Sequence, residues 1–119
     1  MKKILVFCFL IFFIFTGIMA AVEVPEELYR KGNSSYENGD YEKAVSLYEG
    51  LLRMDKVSGE VFYNLGNSYF KLKKIGKAIL NYERALRLDP RDKDTQINLK
   101  LAKSMTVDKI NISERGFVL

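Results

Sequence analysis

Phe62-Tyr-Asn-Leu-Gly-Asn-Ser-Tyr69 is the stretch whose reading decides the fold. Shifting the chain by 34 residues lays Tyr29-x-x-Gly-Asn-Ser on Tyr63-x-x-Gly-Asn-Ser, with Gly32 on Gly66. The same shift places Lys43-Ala44 on Lys77-Ala78, Tyr48-Glu49 on Tyr82-Glu83 and Leu52-Arg53 on Leu86-Arg87. Residues 25–58 and 59–92 agree at 12 of 34 positions, far above chance. A fixed period of this length marks stacked supersecondary units, each burying its apolar face against its neighbours.

Working outward, the apolar spacing within each unit is helical. The first helix opens at Pro25-Glu26-Glu27, where a proline loses no hydrogen bond and carboxylates meet the positive end of the helix dipole. Asn38-Gly39-Asp40 breaks it, and Asp40 is expected to cap a second helix carrying Ala44, Leu47-Tyr48 and Leu51-Leu52. After a turn at 54–58, a third helix over 59–72 presents Phe62, Leu65-Gly66 and Tyr69. A fourth, over 75–88, presents Ala78, Tyr82 and Ala85-Leu86 and stops before Pro90. Asp92 or Asp94 caps a fifth helix, over 93–106, which places Ile97, Leu99, Leu101, Ala102 and Met105 on one half and Lys100, Lys103 and Gln96 on the other. One apolar and one charged face suit a terminal lid. The expected fold is all-α: two helical hairpins and a capping helix, with residues 107–119 as a loosely ordered tail.

The first fifth of the chain differs from the rest. Lys2-Lys3 precede an unbroken apolar run over 4–15, then Thr16-Gly17-Ile18-Met19-Ala20-Ala21. A basic start, an apolar run and small residues at its end describe a signal peptide over 1–21. The rival is an uncleaved anchor, because 4–22 has nearly the length that spans a bilayer. Either places the rest, just under 100 residues, outside the cytoplasm: periplasmic, or held at the inner membrane facing the periplasm. Cys8 is the chain's one cysteine and lies within the apolar run, so the exported part carries no disulfide. Without Lys2 and Lys3 there remain 17 basic and 15 acidic residues with no clustered basic stripe, which argues against a nucleic-acid partner.

The chain has no histidine, and its cysteine lies in the leader. The usual general base, soft metal ligands and thiol nucleophile are therefore missing, and no Gly-rich phosphate loop is present. No catalytic residue, metal or cofactor is expected. What remains is a surface for binding.

Phe62, Leu65-Gly66, Tyr69, Ala78, Tyr82, Ala85 and Pro90 resemble the tetratricopeptide repeat at its signature positions, with Phe for the usual Trp and Tyr for the usual Phe. The resemblance covers 59–92 in full and 25–58 in part, where Lys31, Ser35, Leu51 and Lys56 depart from it. It implies that the first helix of each repeat lines a concave groove holding a protein or peptide partner. The groove positions carry Tyr29, Asn33, Tyr36 and Glu37, then Tyr63, Asn64, Asn67, Phe70 and Lys71. The fifth helix would add Ile97, Asn98 and Leu101. Aromatic rings give contact area at low entropic cost, and asparagines can hold a peptide backbone. Family members that grip a terminal carboxylate need cations that this chain replaces with Tyr29, Asp94 and Asn98, so that mode is rejected.

The stretch Ile97-Asn-Leu-x-Leu-Ala-Lys-Ser-x-Thr-Val-Asp-Lys-Ile110 is similar to exported repeat proteins of the Bacteroides aerotolerance (Bat) operon. The leading expectation is an exported, non-catalytic module that scaffolds a complex at or near a membrane. Two repeats fall below the usual three, so self-association through Ile97, Leu101 and Met105, or docking on a membrane complex, would complete the stack. The rivals are a periplasmic holdase for extended chains and a truncated remnant of a larger Bat-like protein.

Overall fold

Several helix ends of this protein have an identifiable local cause. The structure is a computed structural model that describes residues 1–6 and 24–115, with 108–115 described for backbone alone; the signal-peptide or anchor reading falls largely outside them. Helix α1 (Pro25–Glu37) has proline in its first turn with Glu26 and Glu27 beside it. It ends at Asn38, and Gly39 turns the chain at φ +80°, which a glycine adopts without strain. Asp40 then accepts from the Lys43 N–H at 3.2 Å and starts α2 (Tyr41–Arg53). The Ser58 hydroxyl, not foreseen as a cap, accepts from the Val61 N–H at 3.1 Å and starts α3 (Gly59–Lys71). Helix α4 (Ile75–Leu88) gives out at Asp89, before Pro90.

Helix α5 (Lys93–Arg115) begins where Asp92 accepts from both the N–H and the hydroxyl of Thr95. It corrects the expected boundary. Its 23 residues run past the lid expected to end at 106, into the stretch read as a loose tail. Apolar periodicity reports which face is buried, whereas helicity persists until something breaks it, and no glycine or proline occurs between Asp92 and Gly116.

The helices pack chiefly in sequence order, α1 on α2, α2 on α3, α3 on α4 and α4 on α5, and α3 also meets α5. Leu28, Ala44, Tyr48, Leu51, Val61, Leu65, Tyr69, Ile75, Ala78, Tyr82 and Ala102 form one continuous core. Ala44, Ala78 and Ala102 are wholly buried. No strand occurs among the described residues, and no helix of theirs is long and apolar enough to cross a membrane. The all-α stack of repeats expected from the 34-residue period is the fold observed.

Two glycines set the spacing within the hairpins. A Cβ on Gly32 would lie 2.7 Å from the Tyr48 ring, and one on Gly66 would lie 2.7 Å from the Tyr82 ring. Each tyrosine therefore lies flush on the backbone of the helix it faces. A second repeated contact joins the hairpins. The Tyr69 hydroxyl donates to the Glu49 carboxylate, tying α3 to α2, and 34 residues on Lys103 pairs with Glu83 at 3.3 Å, tying α5 to α4. Both charges of the latter pair are about half exposed, so it contributes at most about 1 kcal/mol.

The inner face of α5 departs from the expected apolar half. Thr95 and Ala102 are fully buried and Leu99 and Met105 partly so, whereas Ile97 and Leu101 are 63% and 51% exposed. In α4, Asn81 replaces the Leu47 of the first repeat and is buried. Its amide donates to the Lys77 carbonyl at 2.8 Å, and its buried Oδ1 has no partner among the described residues.

The close contact at Gly66 generates a test with an internal control. Gly66→Ala gains helix propensity of about 1 kcal/mol but forces the Tyr82 ring out of place, and a net loss of about 1–2 kcal/mol is expected. Gly76→Ala, with nothing within 4 Å of its added Cβ, should instead gain up to about 1 kcal/mol. Chemical denaturation of the two variants reads both signs, and a stabilised Gly66→Ala would refute the contact.

Candidate binding groove

The polar residues along α1, α3 and α5 are organised as a ladder. In the first rung the Tyr48 hydroxyl donates to Asn33 Oδ1 at 2.6 Å. Asn64 Nδ2 donates to that same oxygen at 3.4 Å and to the Tyr29 hydroxyl at 3.2 Å. In the second rung the Tyr82 hydroxyl donates to Asn67 Oδ1 at 2.7 Å, while Asn98 Nδ2 donates to Asn67 Oδ1 at 3.0 Å and to the Tyr63 hydroxyl at 3.4 Å. Every residue of the second rung stands 34 positions after its counterpart. The ring pairs repeat as well, with Tyr29–Tyr48 and Tyr63–Tyr82 centroids both 6.3 Å apart. Each rung thus joins three helices: an asparagine and a tyrosine from one, the core tyrosine from its hairpin partner, and an asparagine from the first helix of the next unit.

The ladder ends where the sequence changes residue type. Arg30 stands at the position of Asn64 one unit earlier and forms a surface pair with Glu27 at 2.6 Å. In α5, Ile97, Lys100 and Leu101 replace Tyr63, Gly66 and Asn67. Helix α5 therefore receives a rung through Asn98 but offers neither the glycine nor the asparagine to pass one on.

The expected groove residues divide accordingly. A pocket of about 260 Å³ brings together Tyr36 of α1, Tyr63, Asn67 and Phe70 of α3, and Leu101 of α5, with Lys71, Tyr82 and Asn98 completing its wall. Tyr29 lies elsewhere, in a pocket of about 390 Å³ with Pro25, Glu26, Val57 and Glu60. Asn33, Asn64 and Ile97 line neither of these pockets. Asn33 and Asn64 are engaged in the first rung, and Ile97 lies open on α5. Tyr36 reaches the groove with its ring 5.2 Å from that of Tyr41, edge to face, which fixes its direction. Sequence reasoning placed Tyr82 in the core alone. Its phenol also lines the groove, and the signal was its repetition with Tyr48 beside the two Gly-Asn pairs.

The groove offers recognition chemistry. Phenols, amides and rings line it, with Lys71 its one charged side chain, and no cluster suited to a metal ion occurs among the described residues. Burial pushes the Tyr48 and Tyr82 phenols well above the usual tyrosine range. Burial also raises Tyr69, to about 12, assisted by the Glu49 carboxylate that accepts its hydrogen bond.

These shifts give a pH dependence of defined sign. The native state holds the phenolic protons more tightly than the unfolded chain does. The stabilisation is fully present below pH 10, the ordinary tyrosine value, and is lost as pH rises through the raised native values at and above about 12. Thermal melts should therefore fall steeply above pH 10. Tyr82→Phe, which strips Asn67 Oδ1 of one donor, should cost about 1–2 kcal/mol at neutral pH and flatten the alkaline fall. An unchanged alkaline profile in that variant would contradict the assignment.

Comparison with known proteins bears on the fold. The family model described as "Tetratricopeptide repeat" matches residues 59–92, and a second of the same description matches 28–54. No curated protein matches the sequence. Among solved structures the chain is similar to the TPR domain of Arabidopsis OM64, with a TM-score of 0.67 and 19% identity over 71% of this chain and 69% of that one. The first TPR domain of human RPAP3 aligns with a TM-score of 0.48 and 19% identity over 73% of this chain and 95% of that chain. The first TPR of Spaghetti (RPAP3), bound to an HSP90 peptide, aligns with a TM-score of 0.41 and 19% identity over 70% and 93%. The two matched segments together take in more than half of the 119 residues, and both hairpins carry the same glycine–tyrosine packing. The chain belongs to the tetratricopeptide-repeat family.

Proposed function

We propose that this protein is a non-catalytic interaction module that holds a segment of a partner protein in the groove of α1, α3 and α5. One observation carries the reading. Tyr36, Tyr63, Phe70 and Leu101, from three different helices, converge on a single pocket of about 260 Å³, whereas Tyr48 and the first-rung asparagines are spent on the stack. Convergent aromatic and aliphatic groups around a concave site are what an anchor side chain of a partner fills.

The finer parts of the proposal rest on the sequence. Lys2-Lys3 and the apolar run over 4–15 support export, with the module periplasmic or held at the inner membrane, where it scaffolds a complex. The resemblance of 97–110 to Bat-operon repeat proteins supports a role beside a membrane assembly. Ile97, more than half exposed on α5, supports self-association or docking at that edge.

Photo-crosslinking tests the groove in native membranes. A benzophenone amino acid replacing Phe70 should capture a partner protein, while the same probe at exposed Leu80 should not. Absence of a Phe70 product, or the same products at both positions, would overturn the reading. Ile97→Asp should lower the sedimentation coefficient if the chain self-associates at α5, and an unchanged value would remove that part.

A further inference from the structure

The groove is graded in charge along α3. At one end the pocket of Tyr36, Tyr63, Phe70 and Leu101 is edged by Lys71, with Lys73 and Lys74 in the turn just beyond. All three lysines are exposed, and among the described residues none takes part in an ion pair. No carboxylate lines this pocket.

Tyr63 is also a wall of the neighbouring pocket, of about 340 Å³, which contains Glu60, Asp89, Asp92 and Asp94 together with Leu88, and no cation. Asp92 is committed to Thr95 as the α5 cap. Glu60, Asp89 and Asp94 have no ion-pair partner among the described residues. The two hollows therefore adjoin at one aromatic ring and carry opposite charge.

The 34-residue register accounts for this grading. Glu26, Glu60 and Asp94 stand at the same repeat position, in the first turns of α1, α3 and α5, where a carboxylate also suits the helix dipole. At the other end the register breaks. Glu37, Lys71 and Met105 share a position, so the cationic edge belongs to α3 alone. A partner lying along α3 meets one cationic end, an aromatic middle and one acidic end.

Resting on the groove reading above, we infer that the occupant is an extended protein segment of mixed charge, with an acidic residue on Lys71, an aromatic or aliphatic anchor beside Tyr63 and Phe70, and a basic residue on Glu60 and Asp94. Glu60 and Lys71 are 11 residues apart on one helix, which at 1.5 Å per residue is about 16 Å. An extended chain covers that distance in about five residues. The site thus selects by the pairing of charges across an anchor, not by a terminal carboxylate. Like charge at either end meets repulsion, so the same groove discriminates against uniformly acidic or uniformly basic segments.

Fluorescence anisotropy with the full 119-residue chain and three labelled peptides tests this. The first peptide has Glu and Lys five residues apart with Phe between them; the second has Glu at both places and the third Lys at both. The mixed peptide should bind about fivefold tighter than either of the others, the scale of an exposed ion pair gained against a like-charge contact. Lys71→Glu, at an exposed position where circular dichroism should remain unchanged, should reverse the order and favour the all-Lys peptide. Tightest binding by either uniform peptide to the unaltered chain, or an order indifferent to Lys71→Glu, overturns the inference. Equal binding of all three peptides, lost when Phe becomes Ala, overturns the charge pairing while leaving the groove reading intact. No binding by any peptide overturns the inference, and only the additional absence of a Phe70 crosslink removes the groove reading with it.

Discussion

The contact between a tyrosine ring and the bare backbone of a glycine is the constraint on which this structure depends. Tyr48 on Gly32 and Tyr82 on Gly66 bring the two helices of each hairpin together at a distance that any β-carbon would prevent. That closeness has two consequences. It excludes water from the ring, contributing burial energy to a domain too small to have much to spare. It also brings the phenol within reach of the asparagine that follows the glycine: Asn33 in the first unit, Asn67 in the second.

From that point the architecture propagates by hydrogen bonding. A buried phenol needs an acceptor, and the asparagine oxygen that accepts it also accepts from an asparagine of the next unit. The rung couples packing within a hairpin to registration between hairpins, so neither can shift alone. It also decides which of the aromatic and amide groups along the groove remain available. The first rung is committed to the stack, and the second lies in the wall of the pocket beside Phe70 and Leu101. A partner touching Asn67 or Asn98 would thus touch the element that holds α3 against α5.

Helix α5 marks where this logic stops. It keeps Asn98 from the repeat pattern but not the residues that would pass a rung on, with Lys100 where a glycine would admit another tyrosine. It buries Thr95 and Ala102 against the stack, while Ile97 and Leu101 remain more than half exposed. A helix that closes one stack while presenting apolar side chains outward is a lid on one side and a surface on the other.

The sequence by itself determined the helices, their order and the hairpin stack. Period and residue type report local geometry directly: Pro25, Gly39 and Pro90 punctuate the chain, and Gly32, Gly66, Ala44 and Ala78 mark the close crossings. Of the residues it offered for a groove, Tyr36, Tyr63, Asn67, Phe70 and Leu101 line one hollow between α1, α3 and α5. What it could not assign was the use of each polar group. Asn33 and Asn67 are identical in type and repeat position, yet Asn33 lies outside the pocket that Asn67 lines, because only the second has α5 beside it with Leu101 and Asn98. The exposure of Ile97 was likewise settled in three dimensions, since a helix reveals its buried face only when its neighbour is in place. Local propensity is written residue by residue, whereas the partner of a hydrogen bond or an apolar face is chosen by what the stack brings next to it.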